Sequence, residues 1–166
     1  MSYGVPYGVE SVALVRNNEL TTAEPSTFDD LRADGHRVMK EQGVSYPFTV
    51  SQDPDAGDPY HLYPLQTSFG AEVFKREKSG EYTDELAMGG EQGHQFAEYL
   101  ADLGKSGDLR TSMTPDIAKE SFIKGDSPYH IAGPWDVAEI EEAGMDVTVL
   151  PVPPAGPEEA RPFAGV

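Results

Sequence analysis

Short β-prone apolar runs alternate with capped, helix-periodic segments along almost the whole chain. That alternation confines the fold to an α/β architecture, a central sheet with helices on its faces. Residues 9–15 form a mostly apolar strand that leaves through the polar turn Arg16-Asn17-Asn18. Ser26 and Thr27, followed by Asp29 and Asp30, make a capping-box pattern. Phe28, Leu31, Val38 and Met39 then supply one buried stripe, and Gly43 stops the helix. Residues 44–50 alternate loosely as a strand, and residues 51–57 form a loop rich in Asp, Pro and Gly that delivers Asp58-Pro59-Tyr60 to a helix start. Residues 74–82 read as a hairpin turning at Ser79-Gly80, and residues 92–103 carry Phe96, Leu100 and Leu103 at helical spacing. Thr114 caps a helix with Pro115 at its first position, and Gly125 ends it. Residues 129–132 form a strand leading into Gly133-Pro134-Trp135 and a short acidic helix to Glu142. Residues 147–150 are a final buried strand before the proline-rich stretch 151–162.

A chain of 166 residues suits one domain with a core that needs no disulfide or metal. With 29 acidic against 12 basic residues the net charge is −17, which repels phosphate backbones and anionic lipid, so nucleic acid is not expected as a partner. No apolar run reaches membrane-spanning length, and no basic-then-apolar leader opens the sequence. The absence of cysteine removes thiolate zinc sites and cysteine nucleophiles. His36, His61, His94 and His130 have no spacing typical of a metal centre, so neither metal nor cofactor is expected. Carboxylates are plentiful, yet the sequence nominates no activated pair of the kind a glycosidase needs.

Two turns concentrate recognition chemistry. Asp58-Pro59-Tyr60 and Gly133-Pro134-Trp135 each set an aromatic ring beside a proline, and the first adds a carboxylate. A sugar ring offers an apolar C–H face to stack on such a ring and hydroxyls to donate to such a carboxylate. Both turns lie in loops leading from strands, where ligands of α/β sheets bind. Purely structural roles stand beside these. Asp58 can cap its helix with Pro59 in the first turn and Tyr60 packed on the surface. A lone tryptophan such as Trp135 is ordinarily core, because its large area rewards burial.

The surroundings of these turns resemble the maltose-binding-like solute-binding proteins of ABC importers. The runs that carry the resemblance are, in order, Val5-Pro6-Tyr7-Gly8-Val9-Glu10, Asp58-Pro59-Tyr60 with Tyr63-Pro64-Leu65, residues 118–122 with Lys124-Gly125, Gly133-Pro134-Trp135, Val147-Thr148-Val149-Leu150-Pro151, and Pro162-Phe163-Ala164-Gly165-Val166. The resemblance implies a two-lobed fold of which residues 1–166 form a single domain, the insert between two hinge crossings that builds most of the second lobe. On that reading the amino-terminal lobe and the final helices are absent. It implies ligand contacts from Glu10, Asp58, Pro59, Tyr60 and Trp135, with Tyr60 and Trp135 stacking and Asp58 accepting hydroxyls. A strand-end glutamate such as Glu10 can equally be solvated. A further stacking tyrosine of the family falls on Pro115, so that subsite is missing or remade.

The implied function is non-catalytic recognition of an oligosaccharide of the maltose or maltodextrin kind. The implied partners are the other lobe and ABC permease subunits, at the extracellular or periplasmic face. Apolar surface left by the absent lobe implies self-association. A carbohydrate-active hydrolase or an acidic interaction scaffold are the alternatives.

Overall fold

The protein is described by a computed structural model over residues 8–165. The first half of the expected hinge run, Val5-Pro6-Tyr7, and Val166 lie outside the described residues. The expected α/β architecture is present. Strand β1 (Ala13–Asn17) is central, and β4 (Tyr129–Ala132) and β5 (Val147–Leu150) flank it, both antiparallel to it. A separate exposed hairpin joins β2 (Phe74–Arg76) to β3 (Tyr82–Leu86).

Alternation of side chains along a strand sends successive residues to opposite faces, and here it feeds two cores. Leu14 of β1 and Ile131 of β4 face a large cluster with Phe28, Leu31, Phe48, Leu62, Leu65 and Leu103. That cluster joins helices α1 (Phe28–Gln42), α2 (Pro59–Ser68) and α3 (Glu91–Ser106) to one side of the sheet. Val15 and Ala132 face a smaller cluster with Phe122 and Ile140, from α4 (Pro115–Ile123) and α5 (Val137–Glu142). Full burial of each such large side chain contributes about 1.5–3 kcal/mol.

The helix boundaries follow the capping chemistry. Thr27 accepts from Asp30 N while Asp30 accepts from Thr27 N, closing the capping box, and Gly43 adopts the left-handed conformation at φ 77°. Thr114 caps α4 through Ile117 N, with Pro115 in the first turn. The segment between α1 and α2 departs from expectation. Residues 44–50 do not form a strand but touch the sheet at one point, where Thr49 N donates to Tyr129 O at 2.8 Å and Ile131 N donates to Thr49 O at 2.9 Å. Pro47 has no N–H to extend that pairing. Its backbone is also pressed onto α1 at Gly35, where any Cβ would collide with the Pro47 carbonyl.

Strand β1 begins at Ala13 rather than Val9, which is 72% exposed, and it runs through Arg16 and Asn17, two of the three residues expected to form the exit turn. Arg16 is nonetheless buried, because its guanidinium donates to the carbonyls of Thr22 and Ala23 and to Thr148. The final strand is not buried: β5 is a sheet edge and leaves Val149 64% exposed.

Candidate functional site

Helix α2 starts at a loop of Asp, Pro and Gly, and its start places the first candidate residues. Asp58 caps it, with Oδ1 accepting from His61 N at 3.0 Å and Oδ2 meeting His61 Nδ1 at 2.7 Å. Burial pushes the Asp58 carboxyl up. The hydrogen bonds from the His61 ring and backbone outweigh that and hold it below the ordinary carboxylate value. Pro59 supplies the first turn, where its missing N–H costs nothing. The capping role set beside the ligand role for Asp58 is therefore what its two oxygens perform in this structure.

Trp135 comes from the short 3-10 turn Pro134–Asp136 that follows β4. Its indole folds back over the Cα of Gly133, where any Cβ would overlap the ring. This is why the tripeptide requires glycine. The indole is 45% exposed, so Trp135 is not a core residue. Tyr60 and His61 close one side of it, with ring centroids 6.0 and 5.6 Å from the indole. Tyr60 in turn is covered by Phe163, whose ring lies 5.7 Å away at 15°. Its hydroxyl is buried without a partner among the described residues. The two expected stacking rings thus differ. Trp135 presents an open face, whereas Tyr60 backs it and packs against the main core.

Glu10 does not join this corner by its side chain. Its backbone pairs with Gly165 in an antiparallel bridge, with hydrogen bonds of 3.0 and 2.9 Å, and its exposed side chain lies against that glycine. Pro115 does belong to the corner. It lines a cleft of about 50 Å³ together with His61, Lys119, His130, Trp135 and Asp136. The floor of this cleft is a buried polar row in which Thr49 Oγ1 and His130 Nδ1 are 3.0 Å apart and His130 Nε2 and Asp136 Oδ2 are 3.3 Å apart. Thr49 is fully buried, so this hydroxyl–imidazole–carboxylate sequence supports the Trp135 turn and presents no nucleophile.

A far larger cavity, about 580 Å³, lies on the other side of Phe163 between α2 and the hairpin, lined by Tyr63, Val73, Phe74 and Tyr82. Its charged rim is self-satisfied: Glu72 pairs with Arg161 at 3.1 Å and Arg76 donates to Tyr82 Oη at 2.5 Å. The Trp135 corner, though shallower, combines an open aromatic face with hydrogen-bonding groups.

Sequence reasoning missed Phe163, Tyr63 and His61 as site residues. Phe163 is delivered by a staple at the end of α2, where Thr67 Oγ1 accepts from Arg161 N and Ser68 Oγ accepts from Ala155 N and Gly156 N. That contact is non-local and left no local pattern. His61 had a signal, since it stands three positions after a capping carboxylate.

An open indole at the loops of an α/β sheet, backed by a second ring and flanked by an imidazole–carboxylate couple, is chemically suited to hold a ligand with an apolar face and polar edge. Comparison with known proteins gives the family of the chain. The sequence model of the bacterial extracellular solute-binding protein family matches residues 1–166, and the chain belongs to that family. The maltotriose-binding protein of Pyrococcus abyssi is 25% identical over 174 residues, covering 99% of this chain and 35% of that protein. The maltodextrin-binding protein MdxE of Bacillus subtilis is 29% identical over 173 residues, covering 98% and 40%. A crystal structure of a cyclo/maltodextrin-binding protein complexed with maltotetraose aligns with a TM-score of 0.78 at 26% identity, over 98% of this chain and 41% of that one. The chain therefore spans 35–41% of the length of these relatives.

Proposed function

We propose that this chain is a carbohydrate-recognition domain of an ABC-importer binding protein, and that Trp135 is the platform on which a ring of an oligosaccharide stacks. The observation that carries this reading is the half-exposed indole, held open over Gly133 and backed by Tyr60. Its relatives bind maltotriose and maltodextrin by name, which favours an α-glucan of that kind. Tyr60, Asp58 and Pro59 build the wall behind the platform, whereas Glu10, bridged to Gly165, stands outside this corner and would meet only a ligand long enough to extend beyond it.

The same reading makes residues 1–166 a single domain that forms most of one lobe. It makes ABC permease subunits the downstream partners, at the extracellular or periplasmic face of the membrane. A non-catalytic role is supported by the carboxylates of the corner: Asp58 is tied to His61, and Asp136 to His130. A cleft of 50 Å³ holds little more than ordered water, so the corner covers one side of a sugar, and tight binding requires a second surface.

Because Trp135 is the chain's sole tryptophan, its fluorescence reports on the site directly. Titration with maltotetraose should change that emission in the millimolar range, and Trp135→Ala should weaken maltotetraose binding measured by calorimetry. An unaltered emission spectrum at saturation of the titration removes the sugar reading.

A further inference from the structure

The sequence marks Asp58 as the hydrogen-bonding group of this site, and the geometry hands that role one turn along α2. An ionised carboxylate only accepts, so the proton in the 2.7 Å contact between Asp58 Oδ2 and His61 belongs to Nδ1. Asp58 is held in that ionised form at neutral pH by the same contact. In the neutral imidazole Nε2 then carries a free lone pair. Nε2 has no hydrogen-bond partner among the described residues, and the side chain keeps 14% exposure. Its ring stands edge-on to the indole of Trp135, with centroids 5.6 Å apart and planes at 85°.

The other basic groups lining this cleft are engaged. Lys119 Nζ lies 2.5 Å from Glu139 and 3.9 Å from Asp136, and His130 lies between Thr49 and Asp136. Asp136 faces those two, and Asp58 is committed to His61. His61 Nε2 is thus uncommitted beside the open aromatic face, and in the neutral ring it is an acceptor.

We propose that His61 Nε2 accepts a hydroxyl of the sugar stacked on Trp135, and that Asp58 is a positioning residue that fixes the imidazole in the Nδ1–H tautomer. The ligand class this selects is a polyol ring with an apolar face and a hydroxyl donor at its edge. A carboxylate that holds one nitrogen of an imidazole to orient the other is a general device, used where histidine binds metals. The proposal rests on the sugar reading above.

The test combines imidazole ¹⁵N spectra with the Trp135 titration, using maltotetraose as the probe. In the free protein His61 should show a protonated Nδ1 and a pyridine-type Nε2, and the sugar should move Nε2 while leaving Nδ1 in place. His61→Asn keeps an amide near the Nδ1 position for Asp58 and removes Nε2. It should weaken maltotetraose about threefold to tenfold, the scale of one neutral hydrogen bond. His61→Gln, which returns a polar group near Nε2, should recover part of that. Asp58→Asn, whose amide can donate as well as accept, should let the Nε2–H tautomer appear in the spectrum while the helix remains capped. An Nε2–H tautomer in the unaltered protein overturns the proposal without reference to any ligand. Unchanged affinity in His61→Asn, with Trp135 still responding, overturns it and leaves the sugar site standing. If maltotetraose perturbs neither His61 nor Trp135, both readings fall.

Discussion

The rings of Tyr63 and Phe163 lie face to face, with centroids 3.7 Å apart and planes 9° from parallel. They are a hundred positions apart in sequence, and their contact fixes where the last described residues meet α2. Phe163 also stacks on Tyr60, which touches Trp135, so four rings run in contact from the large cavity to the open corner.

Phe163→Ala should therefore act at two places. Phe163 is 38% exposed, so the loss falls below that of a core phenylalanine, about 1–2 kcal/mol from lost area and stacking. Tyr60 loses its backing, and the Trp135 emission should shift although Trp135 itself does not touch Phe163 in the chain of ring contacts. Thermal denaturation and fluorescence of the same sample check both effects.

Gly35→Ala inverts a common expectation. Alanine in place of glycine inside a helix ordinarily stabilises by about 0.5–1 kcal/mol. Here the added Cβ collides with the backbone of Pro47, which cannot swing away as a side chain would. We expect destabilisation of about 1–3 kcal/mol, in the range of core overpacking. A melting temperature above that of the unaltered protein refutes the close approach of α1 to residue 47.

Gly133→Ala should expel the indole from its resting place, because the new methyl occupies the ring's position while the backbone at φ −110° tolerates alanine. The expected result is red-shifted Trp135 emission and weaker maltotetraose binding, with little change in melting temperature. Loss of stability with unchanged emission would show instead that the ring packs elsewhere.

Asp34 predicts the acid response. Burial raises its carboxyl, but hydrogen bonds from Arg37, Thr21 and Tyr129 together hold it below the ordinary value of 3.8. Since the folded state binds this proton less readily than the unfolded one, the stabilisation is complete above that value and is lost as pH falls through the lower, folded one. Asp58 acts in the same direction. Urea midpoints should thus fall steeply below about pH 4. Asp34→Asn should lower the midpoint at pH 7 and flatten the acid slope.

The hairpin leaves Phe74, Tyr82, Leu86 and Met88 between 41% and 63% exposed. Net charge of −17 opposes contact between copies, but its reach is screened to about 8 Å at physiological salt, whereas apolar burial survives salt. Sedimentation velocity should show dimers gaining as salt rises. A monomer at both extremes contradicts that.

Much of this fold was legible because caps and turns are local chemistry. The Thr27–Asp30 box, the left-handed Gly43 and the proline starts of α2 and α4 could all be read from neighbouring residues. The strand expected at residues 44–50 failed because Pro47 interrupts its hydrogen bonding and residues 47–50 are all buried, so the alternation in the sequence does not become two faces of a strand. The edge position of β5 was hidden for a different reason. Apolar content marks a strand, but which neighbours cover it is decided by topology. At the site, the two tripeptides meet at one corner, but how their side chains pack there was not legible. Tyr60 turned out covered and Asp58 committed to its own helix. Those outcomes depend on Phe163, far away in sequence, and on a histidine that spacing rules for metals had set aside.

The pairing of Glu10 with Gly165 has a mechanical meaning. The described chain begins and ends side by side, held by two backbone hydrogen bonds. A force pulling those ends apart peels the bonds one after the other, as a zipper opens, and only then loads β1. The contact is a single bridge, so such a pull parts the two ends at the cost of about two backbone hydrogen bonds and leaves the sheet and both cores intact.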